Sequence, residues 1–552
     1  MFLIKYELSI NGNPNNATIK ILSGGLNVTH NERKGEQLPQ EPEPYWRDFI
    51  DLPEFPGLDN DMDVDVVIVG GGITGLTSAY LLVNEGLKVA VLEAGRLLNG
   101  TTGHTTAKVT AQHDLIYDEF IRNFGRSKAR LYYEANTNAL NFIKQTVEDH
   151  QIDCDFLMQD AYIYATTDEY AVKLEKEAEA YKELNINGEL VDHIPFNVEI
   201  KKALVMKDQA QFHPIKYLVH LVQAIKQKGG LIFEHTTAVN IESGDKQTVL
   251  TREGIRVTGS YVLSCSHFPF YEGLGLYSAR MHADRSYILA VKAKEPYPGG
   301  MYISADQPTR SLRSAVINGE EMILVAGESH QTGQGKDTME HYKALKNFGE
   351  QVFDIENTVY RWSAQDLVTL DKLPYIGELT SSQPNILIAT GYRKWGMTNG
   401  TAAALLFRDI ILGKENAYQH LYSPSRFYAN PSLKNFLVEN ADVVSHLIKG
   451  KLEISDVRAE DLANDEGAVI TVRGHRKGAY KDQEGKLHIV DTTCTHIGCE
   501  VEWNSGDRSW DCPCHGSRFS YTGEVIEGPA EKPLQKYDYT MLDNLTSEDS
   551  GY

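Results

Sequence analysis

Asp65-Val-Val-Ile-Val-Gly70-Gly-Gly72-Ile73-Thr74-Gly75-Leu76 decides the fold of the larger part of this chain. A run of β-branched residues that reads as a buried parallel strand stops at a glycine cluster. From Leu76 to Asn84, Ala, Leu and Val then fall on one face of a helix. Gly70 permits the tight turn, Gly72 lets the backbone approach a pyrophosphate, and Gly75 lets helix and strand pack closely. Ile73 and Thr74 follow at the helix start, where unpaired N–H groups face the phosphates. A second strand, Lys88-Val-Ala-Val-Leu-Glu93, precedes Ala94 and ends in a carboxylate eighteen residues past Gly75. Glu93 is placed to accept hydrogen bonds from ribose hydroxyls. The plainer alternative is an ordinary strand–turn–helix; the flanking strand and its terminal carboxylate favour dinucleotide binding. The pattern by itself leaves NAD and FAD both open. No second strand–GxGxxG–helix unit follows, which argues against reduction by NAD(P)H.

The other end carries Cys494-Thr-His496-Ile-Gly-Cys499 and Cys512-Pro-Cys514-His515-Gly-Ser517. Each stretch puts one thiolate and one imidazole at the tip of a short loop. Two such loops can pinch a diiron cluster, with Cys494 and Cys512 on one iron and His496 and His515 on the other. Four of the 6 cysteines in the chain lie here. A structural zinc site is the alternative. Paired zinc ligands, however, generally stand two or more residues apart, and Cys494 and His496 are separated by one.

This tail closely resembles a Rieske [2Fe–2S] domain, in which histidines replace two of the usual cysteines. The resemblance implies that Cys499 and Cys514 form a disulfide over the cluster, as in the bridged, higher-potential branch. It implies that Ser517 donates to a cluster sulfide and that Gly528-Pro529-Ala530 is the shielding loop. Phe519 departs from the pattern, standing where a tyrosine often donates to a ligand sulfur. Fewer hydrogen bonds to sulfur lower the potential, so a mid-range value within about −150 to +300 mV is expected.

Most of the preceding chain resembles the amine and D-amino-acid oxidase superfamily, of the glycine oxidase and sarcosine oxidase type, and this resemblance selects FAD. In that family a Gly/Ser/Thr-rich segment follows the acidic strand beside the flavin. Here it is Gly100-Thr-Thr-Gly103-His104-Thr105-Thr-Ala-Lys108. Gln211-Phe-His213-Pro214 opens a helix over Ile215–Lys228, and Val239 is placed to meet adenine through its backbone. Asp371-Lys-Leu-Pro374-Tyr-Ile-Gly377 and Gly391-Tyr-Arg393-Lys394-Trp395-Gly396-Met397-Thr398-Asn399-Gly400 match the returning flavin segment. An Ala-rich helix, Thr401–Leu412, then points its N-terminus at the flavin's pyrimidine end. That segment holds no cysteine, so non-covalent FAD is expected.

The expected fold is an α/β Rossmann-like FAD-binding domain with an inserted mixed-sheet substrate domain, followed by an all-β Rieske domain. The expected divisions are 1–60, a partly loose extension; 61–111, 203–271 and 353–415, FAD-binding; and 112–202 and 272–352, substrate domain. A linker over 416–455, the Rieske domain over 456–541 and a tail over 542–552 complete the chain. Residues 10–45 show neither helical nor strand period, and a true translation start near Val28 is an alternative. Within the linker a short amphipathic piece runs from Leu433 to Ile448.

At 552 residues and a formal charge of −22, the chain lacks the clustered cations that nucleic acid requires. Eighteen consecutive apolar residues occur nowhere, so no membrane span is expected. The first residues are too short and too charged for a secretory signal, and a cytoplasmic location is expected. There a Cys499–Cys514 disulfide would sit in tension with a reducing compartment.

Candidates to face the flavin are Arg285, Tyr287, Tyr302, Arg310, Arg313, His330 and Lys394. Arg313 is singled out because a guanidinium grips a carboxylate with two parallel hydrogen bonds. His104 is a candidate proton acceptor or a loop hydrogen-bond donor. Lys394 is placed to stabilise negative charge on reduced flavin. The expected activity is oxidation of an amine or amino-acid-like small molecule. Electrons then leave singly through the cluster to a one-electron protein or quinone. A reductase fed in reverse through the cluster, or a redox sensor, are the alternatives.

Overall fold

The computed structural model describes residues 7–10, 17–20, 38–48, 50–335, 337–426, 431–432, 434–449, 455–472 and 474–538. The chain divides into two compact units, Met1–Gln37 and Leu38–Tyr552. In the first, Glu7–Ile10 pairs antiparallel with Ala17–Lys20. The second of these strands lies where no strand period was expected. Four residues are too few for alternation to stand out in Asn- and Gly-rich surroundings. Val28 and the 542–552 tail lie outside the described residues.

The glycine-rich stretch builds the middle of a six-stranded sheet. Its order is Leu231–Phe233, Val89–Leu92, Val66–Val69, Tyr261–Ser264, Gln383–Thr390, Tyr375–Thr380. All neighbours are parallel except the last pair. Val66–Val69 and Val89–Leu92 are buried at every position, as a sheet covered on both faces demands. The helix Ile73–Asn84 begins three residues before the apolar pattern, on Gly72. A Cβ on Gly75 would lie 2.0 Å from the Gly70 carbonyl, so helix and strand approach this closely only over glycine. The late helix, Gly396–Ile411, likewise starts earlier than expected, because its glycine-containing first turn carries no apolar period.

A mixed nine-stranded sheet stands over this layer. It runs Ile355–Thr369, Met281–Ala293, Glu320–Gln331, Arg310–Ile317, Met301–Ser304, Leu157–Ala165, Lys202–Gln211, Lys108–Val109, with Gly188–Val191 beside Lys202–Gln211. Lys108–Val109, Lys202–Gln211 and Ile355–Thr369 therefore pair in this sheet rather than in the nucleotide-binding one where the sequence divisions set them. These are connecting strands, and their burial pattern does not reveal which sheet they join. The C-terminal part is two four-stranded sheets, antiparallel throughout, over residues 466–537. Between them and the late helix lies the helix Lys434–Lys449.

Candidate active site and metal centre

Three stretches singled out in the sequence meet at the N-terminus of Ile73–Asn84. Ile73 N–H donates to Thr102 Oγ1 at 3.1 Å, tying the helix to the turn Thr101–His104. Thr74 Oγ1 lies 2.8 Å from the Tyr392 hydroxyl of the returning segment. Glu93 accepts from Gly71 N and Gly95 N at 2.8 and 2.9 Å, and burial raises its pKa against the pull of those N–H groups. Gly72 caps the helix without a side-chain bond, and a Cβ there would stand 3.0 Å from Thr102 Oγ1. A helix end whose cap residue carries no side chain, with a half-buried carboxylate alongside, fits the pyrophosphate and ribose of a dinucleotide. Ala94 is exposed at the strand end, and Gly103 is buried in the turn. Gly396, Met397 and Thr398 form the first turn of the late helix, Thr398 Oγ1 donating to Thr110 O at 3.0 Å. Val239 is half-buried in Ala238–Ser243, and Gly377 lies in the edge strand Tyr375–Thr380 near Pro424.

The segment after that turn is held by its carbonyls. Trp362 Nε1 donates to His104 O at 2.8 Å and Trp46 Nε1 to Thr105 O at 2.7 Å. Arg313 Nη1 donates to Thr106 O and Ala107 O, both at 2.8 Å. Its Nε donates to Ser314 O, and burial lowers its pKa to about 10. All these bonds end on main-chain carbonyls, so the guanidinium clamps this loop. His104 turns Nδ1 to Gly100 O at 2.9 Å, and burial lowers its pKa. Lys394 has a left-handed backbone, φ +72°, donates from N to Asp366 Oδ1 at 3.1 Å, and bonds Ser329 Oγ through Nζ.

The other candidates are engaged elsewhere. Arg285 is 1% exposed and donates to Ser363 Oγ at 2.6 Å while pairing with Asp507 of the C-terminal part. Tyr287 OH lies 2.9 Å from His330 Nε2, whose ring stacks on His341. Arg310 pairs with Glu328, and Tyr302 stacks on Tyr162 at 4.5 Å. Single-residue chemistry suggested these side chains; strand direction set them on other faces.

In the C-terminal part, Cys494, Cys512 and His515 are buried and His496 is half-buried. The two imidazoles meet edge to face, centroids 5.0 Å apart, and neither Nδ1 has a hydrogen-bond partner. Burial lowers the pKa of both, His515 to about 4 with His496 adding to the effect. A hydrogen bond from Cys512 lowers Cys494 to about 7. Two buried thiols and two neutral imidazoles with orphaned Nδ1 atoms are the donor set a histidine-ligated [2Fe–2S] cluster needs. Cys499 and Cys514 are disulfide-bonded, and both sulfurs lie within 4.8 Å of Cys512 Sγ. Ser517 Oγ accepts from Ala530 N at 3.0 Å and lies against Cys494, whose thiol it acidifies. Phe519 is fully buried.

The two sites share one pair of strands, Met281–Ala293 and Ile355–Thr369, whose successive side chains point to opposite faces. Arg361, Ser363 and Gln365 reach Gly506 O, Asp507 Oδ2 and Gly516 O of the C-terminal part. Trp362 and Asp366, between them, reach His104 O and Lys394 N. Across the partition, Arg285 and Arg518 both face Asp507, Asp511 and Glu527. Phe268 sets its ring 6.3 Å from His496. Of these residues, Gln365, Trp362, Asp366 and Phe268 gave no sequence signal, since a polar or aromatic residue in a strand has no spacing to mark it.

The profile of the FAD dependent oxidoreductase (DAO) family matches residues 65–410. The chain belongs to that family. This oxidoreductase also matches the Rieske [2Fe-2S] domain over residues 453–538. It is 54% identical over 499 residues to a Bacillus subtilis (strain 168) protein provisionally named Rieske 2Fe-2S iron-sulfur protein YhfW, covering 90% of this chain and 98% of the relative. It is 25% identical over 373 residues to gamma-glutamylputrescine oxidoreductase of Escherichia coli (strain K12), covering 65% and 86%. Its fold matches glycine oxidase from Geobacillus kaustophilus with a TM-score of 0.57 at 18% identity, covering 66% of this chain and 99% of the other. FAD is thus the cofactor of the first part and a [2Fe–2S] cluster that of the second. Among the described residues, no helix is long and apolar enough to cross a membrane.

Proposed function

We propose that this FAD-dependent oxidoreductase oxidises an amine or amino-acid-like substrate and passes the electrons singly through the Rieske cluster to a one-electron protein or quinone. Cys494, Cys512, His496 and His515 are the cluster ligands in this reading. Flavin accepts a pair of electrons as hydride, whereas the cluster carries one at a time. Relatives named for glycine oxidation and for gamma-glutamylputrescine support a C–N bond as the site of attack.

One observation carries the reading. Thr101 Oγ1 donates to Gln365 O at 3.1 Å, and Gln365 Nε2 donates to Gly516 O at 2.8 Å, next to ligand His515. A single residue thereby joins the flavin-side turn to the cluster loop. On the substrate side, Trp362, Trp46 and Arg313 hold the segment 104–107 in place by its carbonyls. In this reading the Lys394 ammonium, bonded to Ser329 Oγ, offsets charge on the reduced flavin.

The test is anaerobic stopped-flow with a panel of amines and amino acids, following flavin and cluster bands separately. Bleaching of the flavin followed by reduction of the cluster is expected. If reduced ferredoxin bleaches the flavin and no amine does, the electrons run the other way and the proposal fails. His515→Ala is expected to lose the cluster absorbance while FAD stays bound.

A further inference from the structure

The electron route proposed above leaves a proton to be disposed of, and the present inference rests on that route. Return of the two-electron-reduced flavin, anionic where Lys394 offsets its charge, to the oxidised form frees two electrons and one proton per flavin. The electrons turn ferric iron ferrous one at a time, and a one-electron carrier re-oxidises the cluster. The proton needs a path of its own to water.

We propose that Asp366, Asp284, His282 and Glu439 form a proton exit from the Lys394 segment to a water-sized cavity beside Cys514. On Met281–Ala293 the period of two sets His282, Asp284 and Ser286 on one face. Asp366 is directly opposite Asp284 on the neighbouring strand, so the two carboxylates share that face. The inner end is the Asp366 Oδ1 that accepts from Lys394 N at 3.1 Å. Asp284 Oδ1 lies 3.6 Å from His282 Nε2, and His282 Nδ1 lies 3.5 Å from Glu439 Oε2. Gaps of this length close by a small side-chain shift or one bridging water. Glu439 also accepts from Gln331 Nε2 at 3.3 Å. His282, Gln331 and Glu439 line a cavity of about 20 Å³, with Cys514 and Gly516 on its far wall. That volume holds one water, and the lining supplies its polar partners.

The charged groups around the row suit the task. Asp366 is faced by His267, Lys394 and Asp284, and burial raises its pKa, so it takes a proton more readily than an exposed carboxylate. His282 is faced by Asp284 on one side and Glu439 on the other, an imidazole between two acceptors. An imidazole can receive a proton on one ring nitrogen and pass one on from the other. A side branch of hydroxyls, Ser329 to Ser286 at 3.2 Å, joins Lys394 Nζ to the same strand.

The experiment uses holoenzyme photoreduced without oxygen, then mixed with ferricyanide in weak buffer containing a pH-indicator dye. Flavin, cluster and dye are followed together. The parent is expected to release one proton per flavin, in step with flavin re-oxidation and with a solvent isotope effect. His282→Ala is expected to delay both release and re-oxidation by about tenfold or more, with cofactor content unchanged and speed restored by added imidazole. Glu439→Gln, at the cavity end, is expected to delay release about threefold. Should His282→Ala lose its cofactors, the comparison rests on Glu439→Gln. Parent-like proton release in the soundly folded variants overturns the proposal. Cluster-free His515→Ala separates the two ideas: if its flavin re-oxidises as fast as the parent's, it is the electron route that fails.

Discussion

Gly516, one residue past the proposed ligand His515, sits so close to Ala283 that a Cβ on it would lie 2.4 Å from the Ala283 Cβ. Its φ is +76°, a left-handed conformation that disfavours any side chain. The cluster loop therefore meets the partition sheet through a backbone-to-methyl contact that only glycine allows. Gly516→Ala is expected to lower the thermal midpoint of the C-terminal part by several degrees, from roughly 1–3 kcal/mol of overpacking and strain. Adding Ala283→Gly should recover the overpacking share and leave the backbone share. Full recovery, read by scanning calorimetry, would show that φ contributes nothing.

Arg285 shares the electrostatic duty at the same boundary with Arg518. Burial opposes ionisation of Asp507, yet Arg518 and Arg285 hold its carboxyl below the usual range. A depressed folded pKa contributes stability at neutral pH that is lost as the pH falls through the carboxylate range. Arg285→Met leaves Asp507, Asp511 and Glu527 with one guanidinium fewer in a buried setting. A loss of about 3–5 kcal/mol is expected at neutral pH, narrowing as the pH falls because the variant no longer depresses the Asp507 pKa as far. Limited proteolysis at pH 5 and pH 7 should release the C-terminal part early in the variant; equal cleavage of variant and parent would contradict this.

Glu177 offers the opposite sign. It is 1% exposed and accepts from the N–H groups of Ile116, Tyr117 and Asp118 at 3.0, 2.8 and 2.9 Å, capping the helix Tyr117–Phe124. Burial raises its pKa to about 7 in spite of those bonds. A raised folded pKa gives stability that is complete below the unfolded value and lost as pH rises through 7. The advantage of the parent over Glu177→Gln should thus shrink between pH 5 and pH 8, by on the order of 3 kcal/mol. Denaturation midpoints of the two proteins across that range supply the check.

Trp46 is 1% exposed, and its indole N–H holds Thr105 O. Trp46→Phe keeps most of the apolar volume but leaves that carbonyl unpaired, at a cost of about 1–2 kcal/mol. FAD affinity, measured by flavin fluorescence on reconstitution, should weaken by roughly tenfold or less, while iron content stays at the parent level.

Local spacing made much of this protein legible. The glycines and β-branched run at 65–76 specify a strand, a tight turn and a helix through backbone sterics alone, with no help from distant residues. The thiolate and imidazole pairs at 494–496 and 512–515 are equally local, since each loop presents its own two proposed ligands. The mixed sheet, the two flanking parts and the cofactors followed from these and from family likeness.

What the sequence could not convey is which residues face one another across the partition. Alternation along Met281–Ala293 separates odd positions from even, with His282, Asp284 and Ser286 half-buried on one face, but that contrast does not tell which face covers the flavin side. Arg285 finds Asp507 across 222 positions, and Gln365 finds Gly516 across 151. Pairings at that separation are fixed by how sheets dock, through the summed packing of many side chains, and no interval along the chain encodes them.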